Sequence, residues 1–174
     1  DPVMSRGLGD VYKRQCKRFK NRYSNRSFSV VRNKKIIIAI GGGGFTHSSD
    51  EDLDEYVINQ VNKSNINIGF LPTASNDNQE KTDLFYKRFK SQKFKLSHFN
   101  LCSSVEGFNE WLMNKDIIYV GGGNTSNMIN IWKRHNLIKV FKDAYEKGII
   151  LSGISAGAVC WFDWILSDSV NKEL

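Results

Sequence analysis

The chain has 174 residues, 40% of them hydrophobic, which suits one globular domain with a buried core. Its formal net charge of +7 is confined to one end, since residues 1–35 carry 11 Lys and Arg against 2 Asp and Glu, whereas residues 36–174 have a net charge of −2. A nucleic-acid-binding face needs cations clustered on the folded surface, so this charge distribution excludes a nucleic-acid partner for the domain.

The N-terminal 33 residues lack the periodic apolar spacing of a helix or a strand. Residues 1–15 resemble translated adaptor sequence, and residues 16–33 are rich in Arg and Ser and free of acidic residues, as in a transit peptide or a misframed translation. We expect residues 1–33 to be a non-native or disordered basic tail and residues 34–174 to form the domain.

Short β-rich runs alternate with helical patterns from Lys35 onward, which is typical of βαβ units on a parallel sheet. Five strands are predicted, at residues 35–40, 66–71, 94–101, 116–120 and 149–154. The expected fold class is α/β, an open parallel sheet flanked by helices on both faces.

Helical periodicity appears between these strands. After the first strand, Ser48 and Glu51 fit a capping box at the start of an amphipathic helix. Its predicted inward residues are Leu53, Tyr56, Val57 and Val61. Further helices are predicted at residues 79–92 and at residues 105–113. Two more follow the fourth strand: one begins near Thr125, and a second one ends at Gly148.

The fifth strand runs into a G-x-S-x-G sequence, from Gly153 through Ser155 to Gly157. This pattern fits a nucleophile elbow, in which small flanking residues let a strand turn sharply into a helix and present the serine hydroxyl. At the helix N-terminus, a developing oxyanion would meet free N–H groups and partial positive charge. The alternative is a tight turn with an incidental serine.

A glycine run, residues 121–123, follows the fourth strand. Since carboxyl ends of parallel strands meet at one edge of the sheet, this run can bring a backbone N–H close to Ser155 and complete an oxyanion hole. A phosphate-binding loop is the rival interpretation, but neither this run nor residues 41–44 complete a nucleotide-binding motif. No cofactor is expected.

Three segments together resemble the peptidase E family. They are residues 70–75 (FLPTAS), residues 117–125 (IIYVGGGNT) and residues 153–158 (GISAGA), and the resemblance extends from about residue 35 to the end. It implies a sheet of the class I glutamine amidotransferase type and a cytoplasmic serine peptidase that hydrolyses small peptides, with Asp-X dipeptides as expected substrates.

The resemblance also implies roles for individual residues. Ser155 matches the nucleophile of the family, and the oxyanion hole is expected from the N–H groups of Gly122, Gly123 and Ala156. Asp168 is expected to be the acidic partner, with Asp163 as its competitor.

The catalytic base is the main departure from the family pattern. No His follows Ser155, so the base is expected beyond Leu174, with His47 as the local alternative. The chain is therefore expected to be a C-terminally truncated, inactive fragment in which the strand at residues 149–154 has an unpaired edge. Alternatives are a non-catalytic binding protein and a related hydrolase, such as an esterase or a cyanophycinase-like enzyme.

Other sites and partners are not expected. The three cysteines, Cys16, Cys102 and Cys160, are widely spaced and form no disulfide or zinc pattern. The apolar runs are strand-sized, well short of the roughly 20 residues of a membrane span, so no membrane partner is expected. The expected partner is a small peptide substrate.

Overall fold

The computed structural model describes residues 35–46 and 49–165. Within them, five parallel strands form one sheet in the spatial order β1-β5-β4-β2-β3. The strands are β1 (Ile37–Ile40), β2 (Ile66–Leu71), β3 (Phe94–His98), β4 (Ile117–Val120) and β5 (Ile150–Ile154). The predicted strands and the predicted α/β fold class are thus confirmed.

Helices cover both faces of this sheet. They are α1 (Glu51–Ile58), α2 (Gln79–Arg88), α3 (Phe108–Met113), α4 (Thr125–Arg134), α5 (Leu137–Lys147) and α6 (Ala156–Val159). On one face, α1 and α2 contribute Val57 and Phe85 to a core with the sheet. On the other face, α3, α4 and α5 contribute Phe108, Trp132 and Phe141. The result is a three-layer arrangement, in which each amphipathic helix buries its apolar stripe.

The buried face of α1 differs from the prediction. Leu53 and Tyr56 are 37% and 60% exposed, whereas Asp54 is 0% exposed and shares the buried face with Val57. The helix is oriented with Asp54 toward the core because the Asp54 carboxylate has hydrogen-bond donors there. The predicted capping box is also wrong, because the residue that precedes the first turn is Asp50, and it makes no side-chain cap.

The third strand is shorter than predicted, since it ends at His98. After it the chain turns, and the N–H groups of Ser103 and Ser104 both donate to the carbonyl of Asn100 at 3.1 Å. The N–H of Phe99 still donates to the carbonyl of Phe70 at 3.0 Å, so contact with β2 ends just before this turn.

The strand that leads to Ser155, β5, lies in the interior of the sheet. It pairs with β1 on one side, where Ala39 lies opposite Gly153, and with β4 on the other, where Val120 lies opposite Gly153 as well. All five of its residues are buried. The expectation that β5 has an unpaired edge is therefore wrong, and the edge strands of the described sheet are β1 and β3.

Several expectations concern residues outside the described ranges. These are the tail at residues 1–33, His47, Ser48 and Asp168. Among the residues that are described, no helix combines the length and the apolar character needed to cross a membrane.

Candidate active site

A cleft of about 290 Å³ lies at the carboxyl ends of the strands β5, β4 and β2. These strands are neighbours in the sheet, so the loops that follow them converge at this point. We call this space the Ser155 cleft. Its lining residues are Thr46, Phe70, Ser75, Lys81, Gly121, Gly122, Gly123, Ile154 and Ser155.

Ser155 occupies a strained backbone conformation between β5 and α6. Its φ is 56° and its ψ is −115°, a region that residues with a Cβ rarely adopt. The surrounding structure holds it there, because its N–H donates to the carbonyl of Ile40 at 2.9 Å and its carbonyl accepts from the N–H of Ala158 at 2.8 Å. The side chain is exposed, and Oγ has no hydrogen-bond partner among the described residues. The elbow therefore presents a free hydroxyl to the cleft.

The two flanking glycines allow the sharp turn at Ser155. A Cβ on Gly153 would lie 2.0 Å from the carbonyl oxygen of Gly157, and a Cβ on Gly157 would lie 2.1 Å from the carbonyl oxygen of Val120. Both neighbours are backbone atoms that cannot move away. The G-x-S-x-G spacing thus reflects close packing of α6 against β5 and β4.

The glycine loop after β4 lies directly against Ser155. A Cβ on Gly122 would be 3.1 Å from the Ser155 Cβ and 3.6 Å from its Oγ. Gly123 has a φ of 143°, and a Cβ there would lie 2.1 Å from the carbonyl oxygen of Ala74. Only glycine can occupy position 123, because both the φ angle and the short distance to the Ala74 carbonyl oxygen exclude a side chain.

Backbone N–H groups close to Ser155 in the sequence and in the glycine loop differ in whether they are already hydrogen-bonded. The N–H of Gly121 is used by the sheet, since it donates to the carbonyl of Leu71 at 2.9 Å. The N–H groups of Gly122 and Gly123 have no acceptor among the described residues. Ala156 begins α6, and the N–H of a first helical residue has no partner within the helix. The three residues predicted to form the oxyanion hole thus carry N–H groups that neither the sheet nor the helix uses.

The predicted acid and base are not part of the described cleft. Asp168 and His47 lie outside the described residues, and Asp163 is exposed on the turn after α6. The two described histidines are His98, on the edge strand β3, and His135, which follows α4. Neither of them lines the Ser155 cleft.

The described cysteines are poor nucleophiles. Burial, reinforced by the carboxylate of Asp77, raises the pKa of the Cys102 thiol to about 11. Burial also raises the pKa of the Cys160 thiol, whose Sγ lies 3.1 Å from the carbonyl oxygen of Gly157. Both thiols therefore remain protonated near neutral pH.

Sequence reasoning gave no role to Thr46, Ser75 and Lys81, which also line the cleft, although Ser75 belongs to the segment FLPTAS that resembles the family. Thr46 belongs to the loop after β1, and Ser75 to the loop after β2. Lys81 lies in the first turn of α2, where a cation is unfavourable for the helix. That unusual position is the one signal in the sequence that could have identified it.

A larger cleft of about 460 Å³ lies at the opposite edge of the sheet, around the first residues of β2 and β5. Lys63 and Asp116 form an ion pair beside it. Its described lining residues include no Ser, Thr, Cys or His. It therefore offers no hydroxyl or thiol nucleophile among its described residues, and the Ser155 cleft is the candidate active site.

The strain at Ser155 predicts a stability effect. Ser155→Gly is expected to raise the free energy of unfolding by about 1 kcal/mol, because glycine adopts this conformation without strain, although its greater freedom in the unfolded chain offsets part of the gain. Ser155→Ala keeps the Cβ and should leave stability nearly unchanged. Denaturant unfolding of both variants measures the difference, and equal stabilities would contradict the strain argument.

Comparisons with known proteins identify the family of the chain. The profile of Peptidase family S51 matches residues 37–174. The uncharacterized peptidase YgaJ of Bacillus subtilis (strain 168) is 42% identical over 139 residues, which are 79% of this chain and 60% of that protein. The chain thus spans about 60% of the length of this curated relative.

A solved structure shares the fold. It is the 1.5 Å crystal structure of a protein from Listeria monocytogenes EGD-e that is described as a candidate peptidase E. The likeness has a TM-score of 0.52 at 25% identity, and it covers 61% of this chain and 54% of the other. Given the profile match over residues 37–174, the chain belongs to peptidase family S51.

Proposed function

We propose that this protein is a serine-type peptidase that hydrolyses small peptides, including Asp-X dipeptides, with Ser155 as the nucleophile. The observation that carries the proposal is the strained elbow, which holds a free Ser155 hydroxyl in the cleft, beside the glycine loop whose Gly122 and Gly123 N–H groups have no described acceptor. Membership of a peptidase family supports the proposal, and no described cysteine lines the Ser155 cleft as a rival nucleophile.

The proposed reaction has two stages. The Ser155 Oγ attacks the carbonyl carbon of the scissile bond while a general base takes its proton, and the N–H groups of Gly122, Gly123 and Ala156 stabilise the resulting oxyanion. The amine leaves with a proton, and an acyl-enzyme remains. Water then attacks the ester in the same way and regenerates Ser155.

A positioned base is needed because a serine hydroxyl is a weak nucleophile at neutral pH. No described residue of the cleft is a His, so the base is proposed to come from outside the described residues, with Asp168 as its acidic partner. A protein with no such base would bind peptides without hydrolysing them. The experiment below separates these two cases.

The test is labelling of the full-length protein with a fluorophosphonate, which reacts with activated serines. Peptide mapping is expected to find the phosphonyl group on Ser155, and Ser155→Ala should abolish the labelling. Ser75 provides a matched control, because it lines the same cleft and its Oγ donates to the carbonyl of Pro72 at 2.8 Å. Ser75→Ala should still be labelled.

The outcomes separate the alternatives. Labelling that persists in Ser155→Ala, or that maps to Ser75, would remove Ser155 from the nucleophile role. Peptide binding with neither labelling nor hydrolysis would favour a non-catalytic binding protein. Faster hydrolysis of simple esters or of cyanophycin than of Asp-X dipeptides would favour the related hydrolases.

A further inference from the structure

Among the residues that the structure describes, one charged residue borders the Ser155 cleft. This residue is Lys81, and the others that line the cleft are neutral. The cleft wall is thus apolar and glycine-rich on most sides, with a single positive charge. In such a setting a cation attracts an anionic ligand more strongly than it would in bulk water.

The helix that carries Lys81 does not account for it. In α2 the charges at the two ends otherwise stand where a helix favours them, with Asn78 as the N-cap, Glu80 in the first turn and Arg88 in the last, and Asp83 in the middle accepts from the Gln79 side chain at 2.8 Å. Lys81 is the exception, because its positive charge lies in the first turn, at the positive end of the helix dipole. Its position is therefore unfavourable for helix stability.

Ion pairing within the protein does not account for Lys81 either. Its backbone N–H donates to the Asn78 Oδ1 at 3.1 Å, but its side chain forms no ion pair or hydrogen bond with any described residue. In contrast, Arg88 on the same helix is paired with Asp54. Lys81 is also half-buried, and no carboxylate of a described residue lies within ion-pairing distance of its ammonium group.

We propose that Lys81 binds a carboxylate of the substrate in the Ser155 cleft, and that it makes the site selective for anionic peptides. This inference rests on the proposed peptidase function. The carboxylate has two possible sources, the side chain of an acidic residue on the acyl side of the scissile bond or the free C-terminus of the leaving residue. Both present the same chemistry to an ammonium group, and matched substrates distinguish them.

The experiment compares three variants of the full-length protein. Lys81→Met removes the charge and keeps an unbranched apolar side chain, and Lys81→Arg restores a cation. Lys87→Met is the matched control, because Lys87 is an exposed lysine in the last turn of the same helix and does not line the Ser155 cleft. The substrates are Asp-Leu, Asp-Leu amide and Ala-Leu.

Lys81→Met is expected to raise KM roughly ten- to hundred-fold for substrates that carry the recognised carboxylate, with little change in kcat. An effect on Asp-Leu amide but not on Ala-Leu identifies the acidic side chain, and the reverse identifies the C-terminus. Lys81→Arg should recover most of the affinity, and Lys87→Met should behave as the wild type. Equal KM values for the wild type and Lys81→Met on all three substrates would overturn the proposal.

A binding measurement tests the role of Lys81 independently of the proposed peptidase activity. N-acetyl-L-aspartate is titrated calorimetrically into the wild type and the variants, with N-acetyl-L-asparagine amide as the neutral control. Lys81→Met should weaken binding of the aspartate derivative at least about ten-fold, even if no variant hydrolyses a peptide. Failure of the wild type to bind it, or unchanged binding by Lys81→Met, would refute the role of Lys81. Binding without hydrolysis would refute the peptidase function alone.

Discussion

Ser155→Ala is expected to lower the kcat of the full-length protein for dipeptide hydrolysis by about a thousand-fold or more. The variant loses the Oγ that forms the acyl-enzyme, whereas the oxyanion donors and the substrate-binding surface remain. The melting temperature should stay close to that of the wild type, because the side chain is exposed and makes no hydrogen bond with a described residue. Steady-state kinetics and thermal unfolding measure the two quantities.

Ser75→Ala is the comparison for this result. It removes another hydroxyl from the cleft wall, but one that donates to a backbone carbonyl and is not on the elbow. We expect its kcat to fall less than about ten-fold. If Ser155→Ala retains more than about a thousandth of the wild-type kcat, Ser155 is not the nucleophile.

The strands of the fold could be predicted because each one is a local property of the sequence. β2 and β5 are short apolar runs bounded by turn residues, and each is almost completely buried. Their spatial order could not be predicted in the same way. Parallel strands are joined by crossovers, so sequence neighbours need not be sheet neighbours, and β1 pairs with β5.

The helix α1 shows where periodicity fails. Apolar spacing placed Leu53 and Tyr56 inward, but the buried face instead contains Asp54. Its partners Arg88 and Tyr119 are 34 and 65 residues away in the sequence. A buried carboxylate is stable only with such partners, and local patterns do not show them.

The candidate site also contains some features that the sequence predicts and others that it does not. The elbow and the glycine loop could be identified because their function depends on local backbone geometry, as the contacts of Gly122 and Gly157 illustrate. For Lys81 the sequence offers only its unusual position in the first turn of a helix, because its place in the cleft depends on how α2 packs on the sheet. The roles of Asp168 and His47 stay predictions.

The buried carboxylate of Asp54 joins the elements around the cleft. Its Oδ1 accepts from the Tyr119 hydroxyl at 2.8 Å, and its Oδ2 accepts from the Arg88 Nε at 2.9 Å. Burial and the adjacent carboxylate raise the pKa of Tyr119, so this hydroxyl keeps its proton and remains a donor. A Cβ on Gly44 would lie 3.0 Å from the same carboxylate, which therefore also packs against the loop that leads to Thr46. Asp54 thus connects α1, α2, β4 and one wall of the cleft.

Asp54→Ala is expected to lower the free energy of unfolding by about 3 kcal/mol. Removal of one partner of a buried ion pair costs about 3–5 kcal/mol, and the lower value applies because the Arg88 side chain is 22% exposed and can recover some hydration. The variant also leaves the Tyr119 hydroxyl without its carboxylate acceptor. Asp143→Ala is the matched control, since it breaks an exposed pair with Lys139 on α5 and should cost less than about 0.5 kcal/mol. Urea unfolding at neutral pH measures both losses. If the two variants lose similar amounts, the Asp54 pair contributes no more than a surface ion pair, and some other interaction must hold α1 in its observed orientation.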